Sequence, residues 1–193
     1  PHRVAALLQS SSARATTDQL TGLPGPGATR LEAQRRITRH ESFALIYLEM
    51  LDIRKFARHA GEQAREKAIR HLARTFGLCG EHLEGERFFA GHMGGGHFVC
   101  MVSVESGEDF CKSIRSRWLE HLPSLFAAVG LGKGGGDEEN GNMPPSYLDL
   151  QICVTTFDGR SSITPRQMFD VLTRIRNKVI KTEGGGIYAD NRS

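Results

Sequence analysis

The sequence is short of the features that would place it in several large classes. No uninterrupted apolar run approaches the roughly 18 residues of a membrane-spanning helix, so no membrane partner is expected for this segment. The first residues, PHRVAALLQSSSARATTD, carry an apolar stretch only from Val4 to Leu8 and no clear cleavage pattern, so they do not read as a signal peptide. An initiator Met is missing, and the chain is expected to be a segment of a longer protein. None of the cysteines, Cys79, Cys100, Cys111 and Cys153, forms a C-x-x-C pair. Their neighbours are mostly apolar, so they read as small core residues in a reducing, cytoplasmic compartment. Cys79-x2-His82 followed by His92-x4-His97 fits no standard zinc finger. Aromatic residues make up 7% of the chain, and none interleaves with the basic clusters Arg35, Arg36, Arg39 and Arg174, Arg176, Lys178, Lys181. A single-stranded nucleic-acid platform needs that interleaving, so no nucleic-acid partner is expected. The clusters read as solvated helix faces, with an anionic partner as the sharper alternative.

Glycine, by contrast, is plentiful. The 193 residues contain 22 glycines, nine of them in the triplets Gly94–Gly96, Gly134–Gly136 and Gly184–Gly186. The length suits one domain with a real core.

Residues 3–16 read as a marginal helix, and 16–27 as a turn-rich segment. A helix is expected over about 28–40, then a strand over FALIYL from Phe43 to Leu48 with Glu49 at its end. Ala64, Ala68, Ile69, Leu72, Ala73 and Phe76 predict one amphipathic helix over 59–78. Residues 87–103 predict a β-hairpin turning at the first triplet. Ser106-x-x-Asp109 predicts a capping box opening a helix to about His121. Residues 130–146 read as a flexible Gly-rich loop, and 148–157 as a strand. Thr164-Pro165-Arg166-Gln167 predicts a second capping box, opening a helix that ends near Lys181 before a last strand at 187–190. This order argues for an α+β fold, a mixed sheet with helices packed on it.

Two phosphate-binding patterns fail on context. Gly130-x-Gly132-x-x-Gly135 follows no strand, and Gly132-Lys133 lacks the Ser or Thr of a P-loop. Gly135-Gly136-Asp137-Glu138-Glu139 nearly spells GGDEF but lies in the polar loop. The hairpin slot instead holds Gly94-Gly95-Gly96-His97-Phe98, and Asp18-Gln19-Leu20-Thr21-Gly22-Leu23-Pro24 reads D-x-L-T-G-L-P.

With these motifs, their spacing and the Lys181-x-x-Gly184 ending, the chain resembles a GGDEF, or diguanylate cyclase-like, domain over about residues 16–190. The resemblance implies a central, mostly antiparallel five-stranded sheet flanked by helices, as in nucleotide cyclases, with a ferredoxin-like core. Residues 1–17 then read as an N-terminal linker or signalling helix and 18–193 as a single domain. Active members bind GTP with Mg²⁺ and pair to make cyclic di-GMP.

The resemblance carries roles onto individual residues, many of them altered. With Gly61 as the anchor, Glu49 stands for the first metal-holding Asp, Arg54 for a Lys, Ala57 for the guanine-reading Asn and Glu66 for the second guanine contact. Asp52-Ile53-x-x-Phe56 offers a second register that needs a three-residue deletion. Gly96 stands where the second metal carboxylate belongs and His97 where the family has Glu. Lys181 is kept as a phosphate contact, while Gly185 replaces an Arg. The product-binding Arg-x-x-Asp maps onto Gly85 and Phe88, so no inhibitory site is expected.

Three readings follow. The first is a catalytically degenerate bacterial signalling or interaction module, with a protein partner or a homodimer formed through the domain or its N-terminal helix. The second is a sensor that binds GTP in the vestigial pocket. The third is an active or weak diguanylate cyclase using Glu49. No cofactor is expected, and Mg²⁺ only if GTP is bound. The plainest reading makes Glu49 and Lys181 surface charges and the first triplet a tight hairpin.

Overall fold

A computed structural model describes residues 17–83, 88–130, 147–160, 163–179 and 184–189. The expected N-terminal helix, the GGDEE string, Gly85 and Lys181 lie outside the described residues. The elements run α1 (Pro26–Thr38), β1 (Phe43–Met50), α2 (Ile53–Ala60), α3 (Glu62–Gly80), β2 (Phe89–Gly94), β3 (His97–Val102), α4 (Gly107–Ala128), β4 (Leu150–Phe157), α5 (Pro165–Val179) and β5 (Gly186–Ala189). The strands form one five-stranded sheet in the order β2-β3-β1-β4-β5. All pairings are antiparallel except β4 with β5. This is the mostly antiparallel α+β sheet expected.

FALIYL is apolar throughout because helices cover both faces of the sheet. Ala44, Ile46, Leu48 and Met50 face a core shared with α2, α3 and α4, in which Phe56, Phe76 and Trp118 are fully buried. Phe43 and Leu45 face the other way, onto α1 and α5 through Ala33, Met168 and Leu172. All four cysteines are free and buried, as their neighbours suggested. Burial pushes the Cys111 thiol up to about 12 and the Cys153 thiol to about 11.

Three local expectations need correction. The single helix over 59–78 is two helices, broken at Gly61, whose φ of 88° a residue with a side chain rarely adopts. The short α2 escaped notice because Phe56 is its only buried residue, too little for a readable stripe. The Ser106-x-x-Asp109 capping box does not form: Ser106 makes no side-chain cap bond, and its amide donates to Ser103 Oγ instead. The helix it precedes runs through Pro123 to Ala128, held by buried Leu122 and Phe126 beyond the expected stop. The second capping box is reciprocal as expected, with Gln167 N donating to Thr164 Oγ1 and Thr164 N to Gln167 Oε1.

Candidate functional site

The hairpin turn is made by the first glycine triplet. Gly94 and Gly95 have φ of 96° and 57°, and Gly95 and Gly96 form the two-residue turn between β2 and β3. Phe98, second in the return arm, is fully buried with its ring centroid 5.1 Å from that of Phe76.

Strand parity decides what this turn can do. Glu49 lies directly opposite His97 in the β1–β3 ladder, so the two side chains share a face. Gly96 belongs to the other face. A Cβ built on it would stand 3.0 Å from Met50 Cβ and 3.3 Å from Ile53 Cγ2. The two positions expected to carry metal carboxylates, Glu49 and Gly96, therefore lie on opposite faces of the sheet, because side chains alternate along a strand. Met50, fully apolar, is the β1 residue beside the turn glycine.

Glu49 has its own counterion. Arg176 on α5 donates to both of its oxygens, Nε at 2.5 Å and Nη2 at 2.9 Å. Beside the pair, Tyr47 Oη and His97 Nδ1 are 2.8 Å apart. Burial, with Glu49 nearby, pushes the Tyr47 hydroxyl up to about 12, so it stays protonated beside the imidazole. Burial also lowers His97 from its ordinary value, aided by the charges of Arg176, Arg54 and His92 against the pull of Glu49.

The guanine-contact positions are elsewhere. Ala57 is half-buried on α2 and Glu66 on α3, helices that pack on the Met50 face, and Glu66 is paired with Arg70 at 2.9 Å. Arg54 is exposed on α2. The fold thus brings Glu49 and His97 together but separates them from Gly96, Ala57 and Glu66. Phe88 is half-buried against Phe110, at 5.6 Å between ring centroids.

A divalent cation does not fit this arrangement. Mg²⁺ takes oxygen ligands in near-octahedral geometry. Here the Glu49 carboxylate is occupied by a guanidinium, Gly96 supplies no ligand, and the two positions face apart. Among the described residues no three of His, Cys, Asp and Glu gather to hold a metal ion.

Two further clusters were not foreseen. His92 on β2 is buried, with Nε2 2.9 Å from the Gly95 carbonyl and Nδ1 3.0 Å from Asp18 of the D-x-L-T-G-L-P segment. That segment is further tied to β2 by the His92 amide donating to the Pro24 carbonyl at 2.8 Å. Asp149 accepts from Arg115 at 2.8 Å and from the Gly185 amide at 3.1 Å. These partners are far apart in sequence, and only the motif Asp18 carried any local signal.

The coiled-coil and GGDEF domain of DgcB from Caulobacter crescentus superposes with a TM-score of 0.70 at 16% identity, over 98% of this chain and 93% of that one. Diguanylate cyclase SiaD of Pseudomonas aeruginosa, solved with its activator SiaC, gives 0.68 at 14% identity, over 98% of this chain and 68% of that one. The chain has the fold of a GGDEF domain. The S helix–GGDEF–EAL structure of Vibrio cholerae LapD gives 0.70 at 12% identity over 100% of this chain, which spans 41% of that one. No family model and no curated relative matches the sequence.

Within this GGDEF fold the D-x-L-T-G-L-P turn anchors the hairpin, and Asp18 is its charged element. Burial alone would raise the Asp18 carboxyl, but bonds from Thr21 and His92 outweigh it and hold the group below its ordinary value of 3.8. A depressed carboxylate contributes stability above its unfolded pKa and loses it as pH falls through the folded one. Asp18→Asn is therefore expected to lower stability by about 1–3 kcal/mol at neutral pH. The deficit should close on acidification below roughly pH 4. Urea melts of both proteins at neutral and acid pH check this, and a deficit independent of pH would contradict it.

Proposed function

We propose that this GGDEF-fold domain is a non-catalytic signalling or interaction module of a cyclic di-GMP pathway. The observation that carries the reading is the separation of Glu49 from Gly96 across the sheet, with Glu49 held by Arg176. A cyclase must neutralise a triphosphate with metal held by paired carboxylates, and at the two aligned positions, Glu49 and Gly96, this domain offers one carboxylate, already neutralised. The structurally similar domains of DgcB, in complex with c-di-GMP, and of SiaD, in complex with its activator, support a role in such pathways. A protein partner or a second copy of the domain is the ligand this reading favours.

The test is incubation with GTP and Mg²⁺ or Mn²⁺ at protein concentrations high enough to force dimers. No cyclic di-GMP is expected, and Gly96→Glu combined with Ala57→Asn should leave the protein silent, since a side chain at 96 enters on the Met50 face. Detectable product from the unmodified chain would overturn the proposal.

A second reading keeps a nucleotide. Among the described residues Arg54 has no ion-pair partner, and its charge acts on His97. Calorimetric titration with GTP separates the two: saturable heat abolished by Arg54→Ala favours a sensor.

A further inference from the structure

The face of the sheet that carries Glu49 also carries a cleft of about 660 Å³. It lies between α1 and α5 over the hairpin strands, on the face away from Ala57 and Glu66. Its volume falls in the range of small-molecule sites, roughly 300–1,000 Å³. Its floor is apolar: Val99 and Leu172 are almost fully buried, and Met93 and Phe169 pack beside them.

The lining is cationic in a specific way. Arg176, at one wall, is neutralised by Glu49. Arg30 on α1 and Arg166 in the first turn of α5 reach the same cleft from two helices, and both are exposed. Neither has a carboxylate partner among the described residues. That contrasts with Arg35, Arg65, Arg70 and Arg115, each of which is paired. The single acidic lining residue, Asp170, lies one turn beyond Arg166 without pairing to it. Two unpaired guanidiniums over an apolar floor match an anionic group attached to an apolar body, since a guanidinium takes phosphate or carboxylate through two parallel hydrogen bonds. Asp170 disfavours a second negative group and can accept from a hydroxyl or amine. The Tyr47–His97 pair closes the polar side of the cleft.

We infer that this α1–α5 cleft is a binding site for a small organic anion with one charged end and an apolar body.

The test uses the full chain and three probes: phenyl phosphate, benzoate and inorganic phosphate. Phenyl phosphate or benzoate should bind saturably by calorimetry, and whichever is tighter distinguishes a phosphate from a carboxylate ligand. Inorganic phosphate, which leaves the floor uncovered, should bind at least about tenfold more weakly. Arg30→Ala and Arg166→Ala should each weaken the aromatic anion about tenfold, without moving the thermal midpoint, since both side chains are exposed. Absence of saturable binding by either aromatic anion up to roughly 10 mM would overturn the inference. So would binding that survives Arg30→Glu combined with Arg166→Glu.

Discussion

Restoring the arginine that the GGDEF ending leads one to expect, by Gly185→Arg, should destabilise the domain by about 3–5 kcal/mol and recruit no phosphate. A Cβ at Gly185 would lie 2.5 Å from the Leu150 carbonyl oxygen and 2.6 Å from Asp149 Oδ1. One of these is backbone in β4 and cannot swing aside. The other is a carboxylate that accepts from Arg115, from the Leu150 amide and from the Gly185 amide itself. Expelling it leaves Arg115 without its partner in a half-buried setting. The loss comes from close approach, and other glycines behave differently. Gly77, within α3, has open space where its Cβ would be, so Gly77→Ala should gain about 0.5–1 kcal/mol. Urea melts of both variants decide the matter. A Gly185→Arg protein as stable as the parent would show that the Asp149 knot is not what fixes this position.

Arg176→Ala should destabilise the domain by about 2–3 kcal/mol, because it strands the Glu49 carboxylate. The two side chains keep only 16% and 29% of their exposure, so water replaces the lost guanidinium poorly. The companion variant carries the argument: Glu49→Leu with Arg176→Leu removes both charges and should recover most of the loss, as apolar replacement of a buried pair often does. A single-variant deficit below about 1 kcal/mol would place the pair among ordinary surface salt bridges.

Much of the fold was legible. The glycine turn flanked by β-prone arms, the stripe of α3 and the Thr164 capping box each rest on a local rule, and each rule held. The register of Glu49 was not legible, for a physical reason. A half-buried strand announces its faces by alternation, but FALIYL is covered on both sides and is apolar at every position. Nothing in it says whether Glu49 or Met50 stands beside the turn glycine. The Asp18–His92 and Glu49–Arg176 pairs were hidden by sequence separation, the second spanning 127 positions. The Ser106 box failed because a pattern of residue types cannot say which hydroxyl reaches the helix start, and Ser103 does.

The D-x-L-T-G-L-P segment has a consequence beyond its own turn. Strand β2 is an outermost strand of the sheet, and an outermost strand offers unpaired amides and carbonyls to any other chain that can add to it. Here the Pro24 carbonyl already takes the His92 amide, and Asp18 closes over the same residue. The opposite border is β5, four residues long. The motif therefore works as a guard rail: it covers part of the longer of the two borders, where another strand could otherwise add.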